Sequence, residues 1–126
     1  MVKVLRSILA LVLATCVLFA AGCRQGSSPP SALALTEIPG QIQKAFATAA
    51  PGAREIAKQV SDAVRVKDYP AAYEGVQILA SLHDATPEQR SVAARSLLGV
   101  VGVLKELQAK GDPAATAALQ AHRASK

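Results

Sequence analysis

The side chains able to do chemistry in this sequence are few and widely spaced. They are two cysteines (Cys16, Cys23), two histidines (His83, His122) and the tyrosine pair Tyr69 and Tyr73. Two cysteines supply neither a disulfide scaffold nor a thiolate zinc site, which need more sulfur at regular spacing. His83 is followed by Asp84, but neighbours on a helix point apart, and a histidine in a last helical turn is explained by the helix dipole. His122 lies in the C-terminal tail with no partner in sequence, and two histidines so far apart make no metal pair on one helical turn. No serine occupies a nucleophile-elbow pattern, and Gly99-Val100-Val101-Gly102 sits in an apolar helical stretch, so it reads as packing rather than a phosphate cradle. Tyr69 and Tyr73, one helical turn apart, remain as a candidate partner-binding patch with polar handles. The expectation is a non-catalytic chain without cofactor or metal.

Cys23 has the most informative context. Lys3 and Arg6 are followed by an uncharged run, Ser7 to Ala21, of 15 residues, which suits the apolar core of an export signal and falls short of the roughly 20 residues a membrane-crossing helix needs. The run ends in Ala20-Ala21-Gly22-Cys23. This order of basic start, apolar stretch, small residues and cysteine resembles the lipobox of bacterial lipoproteins, although Ala20 stands where that family usually carries leucine. The resemblance implies that residues 1–22 are a signal peptide and that Cys23 becomes the lipidated first residue, carrying acyl chains such as palmitate. Cys16 competes poorly, with Thr15 before it and little apolar sequence upstream. By the same resemblance, Arg24 in place of an aspartate favours the periplasmic face of the outer membrane in a two-membrane envelope.

Composition agrees with such a division. The whole chain of 126 residues is 51% hydrophobic and carries a formal charge of +5, with a mean hydropathy of +0.26. Without residues 1–22, and hence without Lys3 and Arg6, 104 residues remain with 12 basic and 9 acidic side chains, a charge of +3. Interspersed signs and only Phe46, Tyr69 and Tyr73 as aromatics give neither the basic stripe nor the stacking platforms of nucleic-acid binding. Residues 24–31, RQGSSPPS, cannot bury apolar surface and read as a flexible tether. The expected division is 1–22 signal peptide, 23–36 lipidated cysteine and tether, 37–126 helical domain.

The elements that must position Tyr69 and Tyr73 show helical periodicity throughout, with no two-residue alternation. A first helix is expected at about Gly40 to Ala49, a second at about Ala53 to Val66, and a third at about Pro70 to His83. Thr86-Pro87-Glu88-Gln89 is the clearest helix start, combining a capping threonine, proline at the first position and a glutamine that closes a capping box. That helix runs to about Lys110, and its apolar residues cover most of its circumference, as a central helix requires. Gly99 and Gly102 each cost about 1 kcal/mol against alanine, so a close helix contact is expected at both. A last helix at about Pro113 to Arg123 depends on docking of Leu119.

At a shift of 43 residues, Lys67, Pro70, Ala71, Ala72 and Gln77 match Lys110, Pro113, Ala114, Ala115 and Gln120. Each segment falls where one helix ends and another begins at a proline. The Lys67 to Ala72 juncture looks like the inter-helix turn of tetratricopeptide repeats, which implies stacked helical hairpins and a protein-binding surface. The shift departs from that family's period of about 34, and two units fall below the three or so such arrays need. The expected fold is all-α, four to five short antiparallel helices as hairpin repeat or bundle. The expected function is that of a membrane-anchored lipoprotein with a non-catalytic scaffold or adaptor domain for a protein partner in the cell envelope. The alternative is a periplasmic carrier enclosing an apolar ligand such as a lipid chain.

Overall fold

The computed structural model describes residues 28–126, and among these every regular element is a helix: α1 Ile38–Ala45, α2 Pro51–Arg65, α3 Tyr69–Ala80, α4 Pro87–Ala109 and α5 Pro113–Ala124. The expected all-α class is what forms. Residues 1–22, expected to be a signal peptide, and Cys23 lie outside the described residues, as does Cys16.

Local chemistry sets the helix starts. At α4 the Thr86 hydroxyl accepts from Gln89 N at 3.2 Å while the Gln89 carboxamide oxygen accepts from Thr86 N at 2.9 Å, closing the expected capping box. The same carboxamide donates to the Ala45 carbonyl at 3.1 Å, so one glutamine satisfies orphan groups at the start of α4 and the end of α1. Every helix has proline in its first two positions, where a missing N–H costs nothing. Proline also pushes the residue before it into extended backbone. Ala50 obeys, with ψ of 151°, so α1 cannot run on into α2; α1 itself ends at Ala45 with Phe46 as its C-cap, short of the expected Ala49.

The two turns α2–α3 and α4–α5 have one geometry. Asp68 N donates to Ala63 O at 2.8 Å and Lys67 N to Val64 O at 3.1 Å, while Asp112 N donates to Leu107 O at 3.0 Å and Gly111 N to Gln108 O at 2.9 Å. This is the paired closure that ends a helix at a left-handed residue, here Lys67 with φ 62° and Gly111 with φ 86°. The next residue, Asp68 or Asp112, caps the following helix by accepting from Ala71 N or Ala115 N. The turns thus correspond at a spacing of 44 residues, Asp68 with Asp112, rather than 43. The buried alanines Ala72 and Ala115 keep the 43-residue spacing.

Pairs α1–α2, α2–α3, α3–α4 and α4–α5 pack in chain order, with further contacts of α1 to α4 and α3 to α5. Ile38, Ile42, Phe46, Val60, Val76, Leu79, Val100 and Leu104 form the fully buried centre. Burying side chains of this kind contributes about 1.5–3 kcal/mol each before entropy is charged against it. Leu119 of α5 docks as expected, at 2% exposure. Helix α4 packs against three helices, but it is not enclosed. Leu98 is 44% exposed, and Gly102 and Lys105 follow it on the same open side.

Two expectations need correction. The tether does not extend to residue 36: Leu33 is buried, its N–H donates to Arg95 O at 3.0 Å, and Arg95 Nε donates to Ser31 O at 3.0 Å. Burial of Leu33, packing of Leu35 against the core and these two hydrogen bonds together hold the segment in place, so residues 31–36 belong to the folded part. Gly102 makes no close contact, for a Cβ there would meet nothing within 4 Å. Gly99 does make one, with a Cβ colliding with the Leu33 carbonyl oxygen and lying 3.3 Å from Ile38 Cδ1. The partner is therefore the docked segment and the start of α1. A close helix–helix approach occurs instead at Gly75 of α3, where a Cβ would lie 2.5 Å from Val60 Cγ2 of α2.

Candidate functional site

Tyr69 and Tyr73 do not form one exposed patch. Tyr69 opens α3 and is half-buried, whereas Tyr73, one turn on, is 3% exposed and belongs to the core between α3 and α5. The packing of α5 over α3 causes the difference, since the helical spacing that aligns the two rings also carries Tyr73 under α5.

Tyr73 is engaged by a residue 49 positions away. Its hydroxyl lies 2.8 Å from His122 Nδ1, the two rings meet edge to face with centroids 5.6 Å apart, and Gln77 Nε2 donates to the same hydroxyl. With Gln77 donating, the hydroxyl proton is free to go to Nδ1, which fits a neutral imidazole protonated on Nε2. Burial holds His122 below its ordinary pKa, and the positive charges of Lys126 and Lys105 act in the same direction. Burial likewise raises Tyr73, against which hydrogen bonding by Ser125 and Gln77 works. This pair has a donor, an acceptor and a shifted imidazole, but it seals a helix contact rather than lining a cleft. Nothing local in the sequence links the C-terminal tail to α3, so the pairing is visible only in the fold.

His83 and Asp84 lie beyond the end of α3 and are exposed. The helix stops at Ala80 rather than His83, and Ser81 turns its hydroxyl back to the Ile78 carbonyl at 2.8 Å, a local bond that competes with continued helix. No group of three or more His, Cys, Asp or Glu able to hold a metal occurs among the described residues.

The half-buried ring of Tyr69 has a different setting. It lines an open cleft of about 450 Å³ between residues 35–40 and the α2–α3 turn, together with Leu35, Thr36, Pro39, Gly40, Val64, Arg65 and Lys67. The floor is apolar, the charged lining residues are both basic, and no carboxylate lines it. Val66, next to this cleft in the turn, is 74% exposed. Such a surface can seat an apolar side chain and pair with a neighbouring negative charge. A second cleft, of about 330 Å³, separates the two equivalent turns and is lined by Val66, Asp68, Pro70, Leu107, Asp112 and Ala115 among others.

Three buried polar side chains outside these clefts are accounted for differently. The Ser61 hydroxyl reaches the Ala57 carbonyl at 2.9 Å and the Pro39 carbonyl at 3.1 Å, tying α2 to the first turn of α1. Gln89 serves the two helix ends described above. Ser96 Oγ is fully buried on α4 without a hydrogen-bond partner. A serine there keeps the side chain small where α4 is enclosed.

Comparison with protein-family profiles, with curated proteins and with solved structures finds no match. None of the described helices is long and apolar enough to cross a membrane.

Proposed function

We propose that this chain is a bacterial lipoprotein, anchored through acyl chains on Cys23 to the cell envelope, whose small helical domain binds a protein partner and carries out no catalysis. In a two-membrane envelope its place is the periplasmic face of the outer membrane. The sequence around residues 1–23 supports the anchor. The observation that carries the binding role is the cleft beside Tyr69, apolar in its floor and bordered by Arg65 and Lys67. Its form suits a peptide segment presenting an apolar side chain and a carboxylate. The clefts described above open to solvent, which favours surface recognition over the enclosed chamber a lipid carrier needs.

The anchor is tested by substitution. Cys23→Ser abolishes acyl labelling and releases the protein from membranes, whereas Cys16→Ser changes neither. The binding role is tested by placing a photoreactive side chain at position 69 in cells and, as a control, at Glu55 on the outer face of α2. The expected result is a discrete heavier adduct from position 69 and none from position 55; adducts of equal yield, or none from either, overturn the assignment of the cleft.

A further inference from the structure

On the face of α4 that carries Leu98 the one neighbour is the N-terminal segment held at Arg95, and the chain itself determines what lies opposite the rest. Successive residues on a helix advance by about 100°, so Ser91, Ala94, Arg95, Leu98, Gly102 and Lys105 share one strip. Leu98 is 44% exposed at its centre, and Ser91, Gly102 and Lys105 are exposed around it. Helix α4 has two acids, Glu88 and Glu106, and at 100° per residue both lie about 20° beyond Arg95, along that edge of the strip, while Lys105 lies beside Leu98 on the other. The strip therefore presents an exposed apolar side chain next to the lysine, a pairing that suits the boundary between headgroups and acyl chains.

The same strip is where the N-terminal segment enters the fold. Ser31 is held by Arg95 Nε and Leu33 N–H by the Arg95 carbonyl, while the Leu33 carbonyl lies over Gly99. Both Arg95 and Gly99 are within one turn of Leu98. Only residues 24–30 separate Cys23 from this docking point. Fully extended, the eight steps from Cys23 to Ser31 span at most about 28 Å, and a flexible chain of that length averages about 16 Å between its ends. A folded unit of this size is about 30 Å across. To turn its far side to the bilayer, the tether would have to wrap half the circumference, roughly 50 Å, which it cannot reach.

We propose that the α4 strip centred on Leu98 rests on the surface of the membrane that holds the lipid anchor, with Leu98 at the headgroup boundary and Lys105 over anionic phospholipid headgroups. This inference relies on the acylation of Cys23 proposed above. A contact too weak to hold a free domain suffices here, because a short tether keeps the face at high effective concentration. Helix α2, which packs on α1 and α3 but not on α4, then faces away from the lipid.

The chain has no tryptophan, so a single one reports position. The full acylated protein carrying Leu98→Trp, and separately Gln59→Trp on the outer face of α2, is reconstituted into phosphatidylethanolamine–phosphatidylglycerol vesicles with brominated acyl chains. The Leu98→Trp emission is expected to be quenched at least about twofold more than that of Gln59→Trp, since an interfacial tryptophan lies close to the acyl chains. That difference is expected to shrink in phosphatidylcholine vesicles and on adding Lys105→Glu. Equal quenching at the two positions, or none at either in protein that floats with the vesicles, overturns the proposal. A blue shift of the Leu98→Trp emission that grows with protein density in unbrominated vesicles also overturns it, by showing that a second copy covers the strip. Protein that fails to float with the vesicles overturns the anchor itself, a separate outcome from misplacement of the face.

Discussion

Two helical hairpins in this molecule share one turn and differ in nearly everything around it. In both the α2–α3 and the α4–α5 hairpin a left-handed residue and a capping aspartate join the helices through the same pair of backbone bonds. The first hairpin is gripped on both members, with α1 on α2 and α4 on α3, and its own helices pack closely where Gly75 faces Val60. In the second, α5 adds little more than Ala115, Leu119 and the His122 contact to the surfaces of α3 and α4. Turn chemistry therefore fixes the connection, and the number of faces covered fixes how firmly each hairpin is held.

The sharpest way to break this comparison is to excavate the same kind of side chain from each hairpin. Leu79→Ala in α3 is expected to lower global stability by about 3 kcal/mol. Leu119→Ala in α5 is expected to release that helix locally, so that hydrogen exchange of α5 amides accelerates while α2 and α3 amides keep most of their protection. Equal loss of protection across all helices would show a single cooperative unit instead.

Glycines give the next largest contrast. Gly75→Ala drives a methyl into the buried, stiff Val60 side chain and is expected to cost about 1–2 kcal/mol, even though alanine is the better helix former. Gly102→Ala, in open space, is expected to stabilise by about 0.5–1 kcal/mol through propensity alone. Chemical denaturation of the two variants checks both signs at once.

The shared turn is the third probe. Lys67 and Gly111 hold the same left-handed backbone, which favours glycine. Lys67→Gly is expected to raise the denaturation midpoint, by about 0.5–1 kcal/mol, and Gly111→Ala to lower it by about 1 kcal/mol.

The smallest effect is the dependence on pH. His122 is held below its ordinary value of 6.5, first by burial and then by Lys126 and Lys105, so the folded chain binds fewer protons than the unfolded one between those two values. The stabilisation is fully present above 6.5 and is lost as the pH falls from 6.5 through the lowered value. Protonated Nδ1 also ceases to accept from Tyr73. Exchange of α5 amides should rise on acidification across this window, that of α2 amides should not, and His122→Phe should remove the difference.

The helices were legible in sequence because their starts are chemical. Proline in the first turn, Thr86 with Gln89, and aspartates before Pro70 and Pro113 each act over three or four residues. Contacts between elements were less legible. Gly102 and Gly75 look alike in sequence, and only the partner facing each decides that one is open and the other crowded. Leu33 gave a weak signal, an apolar residue within a polar tether, whose meaning depended on a groove beside Gly99 formed by residues more than sixty positions on. Of the candidate site residues, Tyr69 lines an open cleft, Tyr73 is buried under α5, and Cys23 lies outside the described residues.

The clip formed by Ser31, Leu33 and Arg95 also determines how the domain meets mechanical load. Under the anchoring proposed at Cys23, tension on the leash arrives first at two hydrogen bonds and one leucine, all on the flank of the longest helix. Peeling Ser31 to Glu37 from that flank lengthens the leash by up to about 3.3 Å per residue while the helices stay folded. The clip thus works as a fuse in series with the core, giving way before any helix is asked to unravel.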